Sequence, residues 1–150
     1  MNLKKAFLEH MDWEINFLSQ VFAEQPFNGL ALEKEQGCIF GQWLHDEGRS
    51  RYDSLSSYQD CLDQHAALHH EAVKIALAVN AQRYDDAAEM LGLDSAFSAA
   101  TLEAFTAFLR LKQDSDTRLK TLLTASPAKT SARINRKQAI LELMIGHFKE

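Results

Sequence analysis

The sequence predicts an all-α protein: an antiparallel four-helix bundle with a short inserted helix and an extra C-terminal helix. Three observations carry this. Apolar residues recur at three- and four-residue steps along most of the 150 residues. Only two prolines, Pro26 and Pro127, and six glycines interrupt the chain, and both prolines fall between the periodic segments. No stretch alternates apolar and polar residues for long enough to make a convincing strand. With 46% of residues hydrophobic and 25% charged, the chain can bury one shared core, which excludes a disordered or fibrous protein.

The elements follow in order. Leu3, Phe7, His10, Phe17, Leu18, Val21 and Phe22 make an amphipathic stripe that predicts a helix over residues 2–24, closed by Pro26, Asn28 and Gly29. A two- to three-turn helix opens after Gly37 and runs through Cys38, Ile39, Phe40, Gly41, Gln42, Trp43, Leu44 and His45, with Gly48 closing it. Residues 55–79 carry Tyr58, Cys61, Leu62, His65, Leu68, His69, Val73, Ala76 and Leu77 and predict a long helix. Residues 84–91 predict a short one, broken near Gly92. Asp94 or Ser95 then caps a last long helix, whose stripe is Phe97, Leu102, Phe105, Phe108, Leu109, Leu119 and Leu122.

The C-terminal part differs in charge. Residues 126–150 hold five basic and two acidic side chains, whereas residues 1–125 hold 11 and 19, and the whole chain carries −5. We therefore divide the chain into a helical bundle over 1–125 and a tail over 126–150. In the tail, residues 127–138 read as a basic linker. Ala139, Ile140, Leu143, Met144 and His147 or Phe148 make an amphipathic stripe of about three turns, too short to be stable without docking on something. The dispersed negative charge argues against nucleic acid as a partner. No stretch approaches the roughly 20 apolar residues of a membrane span. Two cysteines are too few for a disulfide scaffold, so a cytoplasmic, reducing setting is expected.

The residues with chemistry to offer are histidines and a cysteine. His65 and His69 stand four apart on a helix, where side chains share a face and two imidazoles can converge on one divalent ion. His70 is turned about 100° away. Such pairs also occur as plain surface polar residues. His10 lies on the apolar stripe of the first helix and points at the core, where its ring nitrogens need partners, a metal or a backbone carbonyl. Cys38 follows Gly37 at a helix N-terminus, where the backbone N–H groups and the helix dipole favour the thiolate a metal requires. The alternative for it is a small buried apolar residue. Gly41, one turn on, leaves room for a neighbouring helix, with Trp43 and Leu44 placed to cover the site. Cys61 competes with Cys38, since 61, 65 and 69 are successive one-turn steps. Each step drifts by about 40°, however, so three ligands from one straight helix converge poorly and Cys61 is read as packing or as an alternative thiol. His45 and His147 are read as surface or tail residues.

Taken together, His10-x-x-Trp13, Cys38-x-x-Gly41-x-Trp43-Leu44 and His65-x-x-x-His69, in that order, resemble the chemoreceptor zinc-binding (CZB) domain family. The resemblance spans residues 10–69, and the helical pattern suggests that it continues to about residue 124. It implies a four-helix bundle holding one Zn²⁺ with three histidines and one cysteine, which by motif position are His10, Cys38, His65 and His69. It further implies a regulatory module of the kind attached to chemoreceptors and diguanylate cyclases, and a homodimer. Neither a receptor coiled coil nor a cyclase domain is visible here, so a stand-alone module is expected to signal through association, with itself or with a separate signalling protein through its C-terminal helix.

Zinc chemistry agrees with that set. Imidazole nitrogen and thiolate sulfur suit tetrahedral Zn²⁺, and four protein ligands leave no position for a substrate water. One thiolate leaves a net +1, so acceptors such as Glu9, Asp12 or Asp63 are expected to orient the imidazoles. A hydrolase of the HExxH type needs a glutamate where this chain has Ala66, and a di-iron bundle needs further carboxylates with an ExxH spacing that is missing. No enzyme is therefore expected. The remaining alternative is a metal-free adaptor bundle acting through its surface and tail.

Overall fold

The computed structural model describes residues 1–28 and 37–124. The linker, the extra C-terminal helix expected over 126–150 and the boundary at 125 lie outside the described residues. Within them the protein is an all-α bundle, as predicted, and no strand is present.

Helix α1 spans Leu3–Phe22 and opens on Asn2, whose side chain accepts from the Lys5 N–H at 2.8 Å. Its far end is closed by paired hydrogen bonds, Gln25 N–H to Gln20 O and Glu24 N–H to Val21 O. This is a Schellman motif, and Glu24 occupies its left-handed position at φ 53°. Helix α4, Ser56–Asn80, ends the same way: Arg83 N–H reaches Ala78 O, Gln82 N–H reaches Val79 O, and Gln82 sits at φ 57°. Glycine is the usual residue at that position, so neither stop was legible as a glycine signal.

Between them lies a composite helix. Cys38 caps helix α2, Ile39–Trp43; a π-helical segment follows at Leu44–Gly48, and helix α3 continues over Arg49–Tyr52. The expected stop at Gly48 is thus a correction: the helical path runs on, and Gly48 serves close packing instead. A Cβ added there would lie 3.0 Å from the Trp43 carbonyl oxygen and 3.1 Å from its ring. The wider π turn changes the hydrogen-bond ladder, and the Leu44 carbonyl accepts from the buried Tyr58 hydroxyl at 2.8 Å. Helix α5, Tyr84–Glu89, is shorter than predicted. Helix α6, Ala96–Thr124, opens where Ser95 Oγ accepts the Ser98 N–H at 3.1 Å.

Directions follow from the cross-links. Asp60 pairs with Arg110 and Ser54 with Arg118, so α4 and α6 run antiparallel. Phe7 stacks on Phe108 at 3.7 Å and Glu14 meets Thr101, so α1 and α6 are antiparallel too. Cys38 lies beside His10, and Trp43 Nε1 donates to the Met1 carbonyl, so the 38–52 stretch runs back down α1. Two apolar clusters fill the interior. One gathers Phe7, Phe40, Trp43, Leu44, Tyr58, Cys61, Phe108 and Leu111, and the other Phe17, Val21, Leu68, Ile75, Val79 and Phe97. Trp13 packs against both, at the level of the histidines.

One part of the predicted stripe on the last helix is corrected. Phe97 and Phe108 are buried, but Leu102, Phe105 and Leu109 are exposed, and Ala104, Ala107 and Leu111 take the inward face. Small alanines allow α4 and α6 to approach closely, and a reading weighted toward large side chains passes over them. Phe22 and Leu77, expected to face inward, are also exposed.

Candidate metal centre

Three elements bring four donors together in the interior. α1 supplies His10, the start of α2 supplies Cys38, and α4 supplies His65 and His69 one turn apart. One candidate ligand atom from each lies within 4.8 Å of all the others, and all four residues are buried. The four sequence candidates are the four that the fold assembles.

The separations suit a shared ion. Bond lengths of about 2.0–2.1 Å to nitrogen and 2.3 Å to sulfur place tetrahedral ligand atoms roughly 3.3–3.6 Å apart. Cys38 Sγ lies 3.2 Å from His65 Nε2 and 3.8 Å from His10 Nδ1, either side of that range. His10 Nε2 is buried without a hydrogen-bond partner among the described residues, an arrangement proteins rarely keep without a ligand or water. The residues present therefore fit zinc.

Local structure explains each position. As N-cap, Cys38 has extended backbone at φ −95° and ψ 155°, and its sulfur accepts the Gly41 N–H at 3.2 Å. That bond fixes the sulfur's direction and offsets negative charge on it. Gly41, foreseen as a gap for a neighbouring helix, is seen here as that donor. The four-residue spacing of His65 and His69 on α4 leaves their ring centroids 4.6 Å apart.

The surroundings are aromatic. Trp13 stacks on His10 at 5.3 Å and lies 4.2 Å from the His69 ring, and Phe40 meets His65 edge-on at 5.3 Å. The expected cover by Trp43 is indirect, since that ring stacks on Phe40. Phe40 was missed as a site residue because it reads as one more apolar stripe position. Burial in this setting opposes a charged imidazole. It pushes His10 down to about 4, helped by the nearby His69, and it lowers His65 well below the usual range, helped by His69, His10 and His45. Neutral imidazole is the form that binds a metal.

Other candidates fall outside. Cys61 is buried in the core beyond the four-residue cluster, and burial, with Asp60 nearby, pushes its thiol up to about 12, the behaviour of a packing cysteine. His70 is exposed, as its rotation from His69 predicted, and His45 is half-buried near His65 without joining the cluster. Of the carboxylates considered as orienting groups, Asp12 and Asp63 are exposed, and Asp63 instead accepts from the Gln59 side chain. No helix of the described residues is long and apolar enough to cross a membrane.

Residues 10–76 match the family model of the chemoreceptor zinc-binding domain. The match contains all four clustered residues and stops at 76, short of the residue 124 that the helical pattern suggested. No curated protein and no solved structure matches the chain. The buried His₃Cys cluster and this match agree: over residues 10–76 the chain is similar to the chemoreceptor zinc-binding domain family.

Proposed function

We propose that the protein is a non-catalytic, cytoplasmic zinc-binding regulatory module whose ligands are His10, Cys38, His65 and His69. One observation carries this reading: four buried donors of the type zinc prefers converge from three separate elements. His10, Cys38, His65 and His69 would together hold the ion as four protein donors, and a zinc so held would serve binding rather than hydrolysis. His10 fastens α1, Cys38 the start of α2, and the His65–His69 pair α4. Because one ion would hold donors from three elements, their relative position becomes coupled to metal occupancy.

Cys38 is the responsive member. It is the only anionic donor, and protonation, oxidation or alkylation of its sulfur removes that charge, whereas the histidines resist oxidation. The module thereby reports zinc availability or thiol state. The output is association, through a homodimer or with a separate bacterial signalling protein of the chemotaxis or cyclic-di-GMP type that engages the C-terminal segment.

The test is elemental analysis of untagged protein, with His65→Ala and Cys38→Ala alongside. About one zinc per chain, weakened in both variants, is the expected result. Wild type that contains no zinc and takes up none on titration would instead support a metal-free adaptor. Metal-dependent hydrolysis abolished by His65→Ala would make the protein an enzyme.

A further inference from the structure

Two exposed apolar stripes lie side by side on the bundle, away from the metal centre. On α1, Leu8, Met11, Ile15 and Phe22 are all exposed, Ile15 by 61% and Phe22 by 73%. On α6, Leu102, Phe105 and Leu109 are exposed by 63, 42 and 46%. At 100° per residue each set falls within an arc of about 60°. The α1 arc borders Phe7 and Glu14, and the α6 arc borders Thr101 and Phe108. These four residues lie in the contact between the helices: Phe7 stacks on Phe108, and the Thr101 hydroxyl donates to Glu14 Oε1 at 3.1 Å, while the half-exposed Phe105 ring also packs on Phe7 at 5.8 Å.

In both helices the exposed arc lies on the side of the contact reached by increasing rotation. Since the helices are antiparallel, the two arcs open onto the same side, opposite α4. Leu8 and Leu109 sit at one level of this face, and Ile15 and Leu102 at another. A shallow groove lined by Leu93, Ser98, Leu102 and Phe105 continues it toward the start of α6. Isolated exposed apolar residues need no explanation, but seven in register on two adjoining helices form an interaction surface.

We propose that this face is covered by the chain's own C-terminal segment, residues 139–148. That segment carries a matching stripe of Ala139, Ile140, Leu143, Met144 and Phe148, and a helix of its length needs a surface to dock on. The connection is long enough. Helix α6 ends at Thr124, and Leu109 and Leu102 lie about 22 and 33 Å back along it at 1.5 Å per residue. The 14 residues 125–138 span up to roughly 46 Å.

Charge favours the same occupant. The tail has five basic and two acidic residues against 11 and 19 in the rest of the chain, and four of the basic ones lie in the linker that leads to the segment, so the linker is drawn along its own bundle, whereas two bundles meeting through these faces carry like charge. Tethering also gives the tail a millimolar effective concentration that a second copy does not have. A signalling partner engaging the tail or the face then competes with this internal contact. The inference does not depend on zinc.

The test uses the full-length chain with Gln138→Cys carrying a nitroxide, the two native cysteines being buried. In ¹⁵N-labelled, spin-labelled protein diluted into unlabelled protein, amide signals of residues 8–15 and 102–109 are expected to lose more than half their intensity. The loss is expected to disappear when Ile140→Asp and Leu143→Asp are added. Broadening seen only when ¹⁵N chains are mixed with separate spin-labelled chains would assign the face to a second copy and overturn the proposal. Full intensity in both samples would overturn it as well. Zinc content, unaffected by either outcome, separates this inference from the proposed function.

Discussion

Cys38 has two structural roles, and serine separates them. Its sulfur caps α2 by accepting the Gly41 N–H at 3.2 Å, and it lies among the three imidazoles. Cys38→Ser keeps a side-chain acceptor at the cap but removes the thiolate, whereas Cys38→Ala removes both. Zinc at 100 times its dissociation constant stabilises a folded protein by about 2.7 kcal/mol. For a chain of this size each kcal/mol is worth about 2–4 °C, so wild type is expected to gain about 5–11 °C in Tm. Cys38→Ser is expected to lose most of that gain at the same free zinc. Without metal it should melt close to wild type, while Cys38→Ala should be weaker by about 1 kcal/mol for the lost cap. Thermal unfolding followed by circular dichroism at 222 nm, in zinc-buffered and in chelated solution, gives all six values. A Cys38→Ser protein that keeps the full zinc-dependent shift would show that the sulfur is not a ligand.

Four further outcomes are expected. In metal-free protein, His10 at about 4 against 6.5 unfolded means that the unfolded state takes up the proton first. Stability is therefore complete above pH 6.5 and falls by about 3 kcal/mol as pH drops toward 4, with His65 adding in the same sense; urea titrations at pH 7.5 and 4.5 that agree would contradict this. Gly48→Ala should cost about 1–3 kcal/mol in chemical denaturation, because the buried Trp43 ring, held by its bond to Met1, cannot give way. Gln82→Gly should instead stabilise by about 0.5–1 kcal/mol by relieving a left-handed residue at the end of α4, and a loss of stability would count against the Schellman geometry. Tyr58→Phe should cost about 0.5–1.5 kcal/mol, since it removes the buried hydroxyl's bond to the Leu44 carbonyl of the π turn.

Much of the site was legible because its information is local. The spacing of His65 and His69 puts them on one helical face, and the position of His10 on an apolar stripe turns it inward, before any tertiary contact is known. The same drift argument set Cys61 aside, and the structure buries that residue in packing beyond the cluster. Errors came where local rules compete. Gly48 reads as a helix stop, yet the chain relaxes into a π turn there and continues, because Trp43 needs the space a side chain would fill. Glu24 and Gln82 end helices at a position where glycine is the expected residue.

Sequence alone determined the all-α class and the long helices to within a few residues, since helical periodicity is a property of short stretches, and its motif resemblance singled out the four candidates that the fold brings together. Only the tertiary structure decided which side of α6 faces inward. A helix with apolar residues around much of its circumference can bury either side, and close packing of α4 on α6 selected Ala104, Ala107 and Leu111 while leaving Leu102, Phe105 and Leu109 outside. Tertiary structure also decided that Trp13 and Phe40, rather than Trp43, lie against the imidazoles, because that depends on how α1 and the Cys38 segment cross α4 and not on the spacing within either.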